Sequence, residues 1–252
     1  MNTIYTIDPT YTELLPFVKN INTRFHEDAT TIHEARNTLK VFEIKGIKIV
    51  VKSFKIPNIV NQIAYSLFRD SKAKRSYMYS QKLLALDIAT PKPIAYSEER
   101  QCGFFKKSYY ISEYCDFDFE IRAVLNDATF ANREQIFQEF AAFSYRLHEA
   151  GVYHVDYSPG NVLIKQAEAG HYIFNIVDVN RMEFIEYSDE LRMKNLSRFS
   201  ASQKDTQLIA RFYAEEAGLN ATWASERLAF YHNKHQEYIQ KKKRLKILQQ
   251  HR

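Results

Sequence analysis

Residues 29–55 read as a strand meander whose last strand alternates apolar and polar residues with a period of two, the spacing of a half-buried strand. Thr30-Thr31-Ile32-His33 predicts a first strand, Arg36-Asn37 a turn, and Leu39–Ile44 a second strand. Lys45-Gly46 makes a tight turn into a third strand, Ile47–Phe54. Its alternation sets Ile47, Ile49, Val51 and Ser53 on one face and Lys48, Val50, Lys52 and Phe54 on the other. Residues 58–86 predict a long helix, with Ile63, Leu67 and Asp70 sharing one face and Tyr77, Gln81 and Leu84 another. Thr90-Pro91-Lys92-Pro93 ends it, because proline disfavours helical backbone in the residue before it. Ile94-Ala95-Tyr96 and Ser108–Tyr114 predict two more strands, followed by a linker near Cys115–Phe119.

The period then changes. Ile136, Phe140, Phe143 and Leu147 recur at steps of four, three and four, one stripe of a helix. Asn132 with Gln135 predicts its capped start and Gly151 its stop. Further helices are predicted near 188–196, 202–217 and 221–248. Strands with one helix followed by a mostly helical half make an α+β chain, divided as residues 1–115 and 116–252.

Composition sharpens this little. The 252 residues, 45% of them hydrophobic, suit one two-lobed enzyme or two small domains. A net charge of +5 suits anionic ligands without calling for nucleic acid. Cys102 and Cys115 make neither a disulfide framework nor a zinc site and read as incidental thiols of a reducing compartment. The start, Met1–Asp8, lacks the basic and apolar regions of a signal peptide, and no stretch has the apolar length of a membrane span, so a cytoplasmic protein is expected.

The chemistry concentrates in Tyr153-His154-Val155-Asp156-Tyr157-Ser158-Pro159-Gly160-Asn161, followed by Ile176-Val177-Asp178-Val179-Asn180. An Asp, an Asn five positions later and a second Asp after a further apolar run have the spacing that phosphoryl transfer from ATP requires. Asp156 would accept the proton of an attacking hydroxyl. Asn161 and Asp178 would hold Mg²⁺, a hard cation that binds oxygen ligands. The short motif alone arises by chance in about one chain in a hundred. Here a helix precedes it and an apolar strand follows, which is where catalytic loops sit.

The order of five strands with an inserted helix, a linker, a helix, Asp-x-x-x-x-Asn and Asp-x-Asn resembles the protein-kinase-like fold, a small strand-rich lobe followed by a larger helical one. Within that fold the chain is similar to the bacterial lipopolysaccharide kinase family, which phosphorylates Kdo or heptose sugars of the lipid A–core region. The segments that carry this are Val50–Lys55, Ser71–Tyr77, Thr90–Tyr96, His148–Asp156 and Asp178–Met182, within roughly residues 30–185. The resemblance implies that Lys52 contacts the α- and β-phosphates of ATP. It implies that Glu113 and Cys115 form the hinge whose backbone meets adenine, and that His154 braces Asp178. Ser158 stands where Ser/Thr protein kinases carry a lysine, Val155 stands for the usual arginine, and no Ala-Pro-Glu follows Asp178. These departures point to a sugar or glycolipid acceptor rather than a peptide. Asn180 replaces the glycine of Asp-Phe-Gly, a position where asparagine tolerates left-handed backbone.

Two family features are missing. Glu34-Ala35-Arg36-Asn37-Thr38 occupies the place of the glycine-rich loop, with Arg36 a candidate phosphate contact. No glutamate occurs between Glu43 and Glu98, so the usual helix partner of Lys52 is absent; its place falls near Ser76, with Asp70 as a distant substitute. These gaps support two other readings, a catalytically weak or inactive kinase-fold binding protein and an atypical protein kinase. At the far end, Lys241-Lys242-Lys243-Arg244 follows a stripe of Ala224, Leu228, Tyr231, His235 and Tyr238. It reads as a packed terminal helix with a solvated basic end; peripheral contact with the inner membrane is the second reading.

Overall fold

The computed structural model describes residues 2–27, 29–34, 37–55, 70–101, 104–199 and 202–250. Arg36, Cys102 and the first part of the predicted long helix lie outside them. The chain divides into two units, Met1–Asp116 with Ile176–Arg181, and Phe117–Asn175 with Met182–Arg252.

The first unit is built on a six-stranded antiparallel sheet. Its strands are β1 (Asn2–Ile7), β2 (Thr30–Glu34), β3 (Thr38–Ile44), β4 (Ile47–Phe54), β5 (Pro93–Gln101) and β6 (Phe104–Glu113), in the order β1-β5-β6-β4-β3-β2. Lys45 (φ 53°) and Gly46 (φ 78°) both take left-handed backbone, as the two-residue turn between β3 and β4 requires. Edge strand β1 and the segment after it carry no clear periodicity and were not expected as elements. Two short helices, α1 (Leu15–Lys19) and α2 (Ile21–Arg24), help that segment cover one face of the sheet. Leu14, Phe17, Val18, Ile21 and Phe25 pack there with Phe42, Ile49, Val51, Tyr109 and Ile111. Each such side chain contributes roughly 1.5–3 kcal/mol when fully buried.

The other face receives α3 (Lys72–Ala85), which joins Ala73 and Tyr77 to Phe54 and Tyr96. Ser71 caps it by accepting from the amide of Lys74 at 3.0 Å. The buried stripe is Ala73, Ser76, Tyr77, Ser80 and Leu83, while Gln81 and Leu84, expected beside Tyr77, are exposed. Small serines face the sheet instead of leucines, and Ser80 meets the phenol of Tyr110 at 2.8 Å. Apolar periodicity does not weight such residues.

The second unit contains β7 (Phe119–Glu120), α4 (Ile121–Asn126), α5 (Arg133–Glu149), β8 (Val152–His154), β9 (Val162–Gln166), β10 (Tyr172–Ile176, whose last residue belongs to the first unit), β11 (Met182–Phe184), α6 (Asp189–Leu196), α7 (Gln203–Ala217) and α8 (Ala221–Gln250). Strands β10, β9 and β7 form one small sheet, and β11 pairs with β8. The predicted cap of α5 is not made. Asn132 is left-handed (φ 54°) with no capping bond, its amide reaches Tyr172, and Gln135 turns to Glu139 and the carbonyl of Gly170. Gly151 does follow the helix, at φ +70°, and a Cβ there would come within 2.8 Å of the Ile185 carbonyl oxygen, so the position requires glycine. Helix α8 buries Ala224 and Leu228, whereas Tyr238, Lys241–Arg244 and Leu245 are exposed.

Helix α5 directs Ile136, Phe137, Phe140, Phe143 and Leu147 into the core. His148, also buried, accepts from the phenol of Tyr213 at Nδ1 (2.7 Å) and donates from Nε2 to Asn195 Oδ1 (3.1 Å). Burial pushes its pKa down from 6.5 to about 3. Below pH 6.5 the unfolded chain therefore binds a proton at His148 that the folded chain refuses, and stability falls with pH by about 1.4 kcal/mol per unit. In urea unfolding the native chain is expected to lose about 2 kcal/mol more than His148→Gln between pH 6.5 and 5. Equal losses would show that the ring is not held neutral.

Candidate active site

In the first unit the alternation of β4 sends Ile49 and Val51 to one core cluster and leaves Lys52 on the face of Phe54. The Lys52 Nζ lies 2.6 Å from Asp178 Oδ1, with the two side chains 13% and 27% exposed. Asp178 reaches it because Ile176 is tied to the segment before β5: its amide donates to the Ala89 carbonyl (2.9 Å) and its carbonyl accepts from Thr90 Oγ1 (2.7 Å). Asp178 itself is left-handed (φ 57°), a conformation that aspartate tolerates better than most residues. Asn180, expected to hold that conformation, does not. It is buried, and its Nδ2 donates to Asp178 Oδ1. The left-handed turn thus falls on the carboxylate, and the asparagine serves as a donor that orients it.

The expected substitute for the missing glutamate is engaged elsewhere, since Asp70 pairs with Lys74 at 2.7 Å. Ser76, where the glutamate would fall, is buried and donates to the Lys72 carbonyl. Glu113 and Cys115 stand at and just beyond the end of β6. The Glu113 amide donates to Lys92 and the Tyr114 amide to Lys48, each at 2.9 Å. The Glu113 carboxylate accepts from the phenol of Tyr11 at 2.6 Å. Burial, reinforced by Glu113, holds the Tyr11 phenol above its usual range. Burial likewise raises the half-buried Cys115 thiol. Arg36 lies outside the described residues.

In the second unit His154, Asp156, Ser158 and Asn161 share one tight loop. His154 ends β8, opposite Met182 of β11, and is fully buried. Its Nδ1 accepts the Asp156 amide (3.1 Å), and its carbonyl accepts from Asn195 Nδ2 (3.1 Å). The Asp156 carbonyl accepts from Asn161 Nδ2 (2.9 Å), and the Ser158 carbonyl from the Asn161 amide (2.9 Å). The first of these bonds assigns the Asn161 side chain: its nitrogen serves the loop and its oxygen points the other way. Tyr157 is buried, shares a 2.8 Å hydrogen bond with Ser144 and sets its ring 4.5 Å from that of Phe199.

Two arginines flank the loop. Arg198 Nη1 lies 2.6 Å from Asp156 Oδ1, with both side chains about a third exposed at 32% and 31%. Arg122 of α4 sits so close to Gly160 that a Cβ there would fall 1.8 Å from its Nη2. Sequence reasoning missed Arg198 and Asn195. Neither lies in a spaced motif, and only tertiary folding brings them to the loop.

Among the described residues no three His, Cys, Asp or Glu side chains gather as a metal cluster. A hard divalent cation carried with phosphates needs none, because one or two protein oxygens suffice beside phosphate and water. The Asp178 carboxylate, which already attracts an ammonium and an amide N–H, and the outward Asn161 oxygen have that chemistry.

A model of the lipopolysaccharide kinase (Kdo/WaaP) family matches residues 38–216. Among solved structures, the chain is similar to WaaP in complex with acyl carrier protein, with a TM-score of 0.60, 15% identity and coverage of 92% of this chain and 99% of that one. It is also similar to the Rio2 kinase–ADP/Mg²⁺–phosphoaspartate complex from Chaetomium thermophilum, with a TM-score of 0.48, 14% identity and coverage of 85% and 66%. The MAP kinase LmaMPK10 from Leishmania major gives 0.43, 15%, 86% and 66%. No curated protein matches the chain. The likeness to WaaP shows the protein-kinase-like fold that the order of elements led us to expect.

Proposed function

We propose residue roles for a chain that belongs to the lipopolysaccharide kinase (Kdo/WaaP) family. Membership makes it a phosphotransferase that uses ATP and acts on the lipopolysaccharide core. In our reading Asp156 accepts the proton of the acceptor sugar hydroxyl as its oxygen bonds to the γ-phosphorus and the bond to the departing ADP breaks. Lys52 neutralises phosphate charge as a point ammonium. Asp178 and Asn161 hold Mg²⁺, which draws charge off the phosphates when bound. Asn180 orients Asp178, while His154 and Ser158 hold the loop. Backbone groups around Glu113 and Cys115 receive adenine, and Arg36 is a further phosphate contact.

The observation that carries this reading is the loop itself. The amide and carbonyl of Asp156 are each held by a neighbour, and the next residue is buried, so its carboxylate stands on fixed backbone. Proton transfer to such a group contributes about 10²–10⁴-fold. Asp156→Ala is expected to lose turnover on a lipopolysaccharide core acceptor by at least about a hundredfold, while binding of a fluorescent ATP analogue stays within about threefold. Undiminished turnover would remove the assignment.

We also assign the exposed end of α8 to peripheral contact with the inner membrane. Lys241–Arg244 are exposed, as are Tyr238 and Leu245 at 60% each, and Lys242 lies 6.0 Å from the Tyr238 ring centroid. Basic residues at an anionic surface contribute about 1 kcal/mol each, enough for weak, reversible attachment. In low salt the full chain should float with phosphatidylglycerol vesicles, and a chain ending at Glu237 should not. Equal flotation would rule out the tail.

A further inference from the structure

We infer that Arg198 is the positioning residue of the proton-accepting carboxylate and that helix α8 sets Arg198 in place. The inference rests on the role given to Asp156 above. From His154 to Asn161 the loop contains no lysine or arginine, and Ser158 stands where peptide-directed kinases supply an ammonium. Of the two arginines that flank the loop, Arg198, in the segment between α6 and α7, meets the carboxylate itself, its Nη1 at 2.6 Å from Asp156 Oδ1.

Both partners stand on anchored backbone. Tyr157 follows Asp156 and Phe199 follows Arg198; both are buried, with their rings 4.5 Å apart. On the other side of Arg198, Ser197 is buried, and its carbonyl accepts from Nδ1 of His232, a residue of α8, at 3.0 Å. After burial, the Arg198 charge is the next cause that holds His235, one turn farther along α8, below its ordinary pKa. The ion pair therefore spans two rigid supports, so its length is set by the fold rather than by the reach of two loose side chains. A carboxylate held by a placed guanidinium presents a fixed direction to the acceptor hydroxyl. A loss of about 1 Å in such placement costs about a hundredfold in rate. The pair is itself part-exposed and adds little to stability.

The test uses the full chain with ATP, Mg²⁺ and a lipopolysaccharide core acceptor. Arg198→Ala should lower kcat by about ten- to a hundredfold, leave KM for ATP within about twofold and leave the melting temperature nearly unchanged. Arg198→Lys should recover part of kcat, and millimolar guanidinium, but not sodium, should raise kcat of Arg198→Ala. His232→Ala should lower kcat by a smaller factor, again without a change in KM for ATP. Native kcat in Arg198→Ala would overturn the inference, and a rise would mean that Arg198 blocks the carboxylate. Should Arg198→Ala fail to fold, Arg198→Gln, which keeps the bulk and removes the charge, replaces it: native kcat there refutes a placed cation, and kcat lowered about ten- to a hundredfold with partial recovery in Arg198→Lys supports it. An unaffected His232→Ala would overturn the part given to α8. Turnover retained in Asp156→Ala would sink the base assignment itself, whereas a dead Asp156→Ala beside a native-like Arg198→Ala would sink only this inference.

Discussion

The buried ring of Tyr157 is the constraint on which the loop from His154 to Asn161 depends. It fixes the residue next to Asp156 by packing and by its hydrogen bond to Ser144. The polar residues on either side can then be half-exposed without becoming mobile. His154 completes the hold from the other side, buried in β8 and accepting the Asp156 amide. Its own carbonyl is held by Asn195, which also accepts from His148, so the loop connects to α5 and α6 through buried polar groups that all have partners. A network of this kind is rigid because breaking any link strands a buried polar atom, at a cost of about 1–3 kcal/mol.

The first unit solves a different problem, the placement of one lysine without its usual glutamate. Lys52 projects from a central strand whose alternate side chains are locked in the core, which fixes the stem of the side chain. Asp178 supplies the opposing charge at 2.6 Å, and Asn180 donates to the same oxygen. A carboxylate in left-handed backbone is directed by a conformation that few residues adopt readily. The missing helix partner therefore does not leave Lys52 without a counter-charge. Serines along the buried stripe of α3 fit the same logic: with no glutamate to project, the helix presents small residues to the sheet.

Much of this was legible in the sequence. Strand β4 and helix α5 show regular periodicity, and the tight turn at Lys45-Gly46 carries its own chemistry. The spacing of Asp156 and Asn161, followed by Asp178 after an apolar run, pointed to phosphoryl transfer, the activity of the family whose model matches the chain. What escaped has physical reasons. The segment from β1 to α2 is short and irregular in pattern, and its role as a cover for one sheet face emerges only from tertiary packing. The cap at Asn132 misled because a capping pair can be read from residue types, whereas the left-handed backbone that spoils it cannot. Asn180 misled in the same way, since the left-handed turn could fall on either of two short polar residues and falls on Asp178. Arg198 left no trace, because one arginine beside one phenylalanine forms no pattern.

The contrast between Ser158 and Arg198 bears on how such an enzyme is matched to its acceptor. A cation inside the loop would move with the loop and serve whatever the loop binds. A cation delivered from the α6–α7 connection, with the adjacent Ser197 bonded to α8, ties the geometry at Asp156 to segments outside the loop. Those segments include the helix whose exposed end carries the basic tail. Exposed ion pairs contribute little to stability, so a pair held at 2.6 Å by buried neighbours on both sides has been placed by the fold for geometry. In the role we propose for Asp156, a carboxylate that takes a proton from a sugar hydroxyl needs a fixed direction more than it needs a strong counter-charge. A guanidinium suits that task because it is planar and keeps its charge across the working pH range.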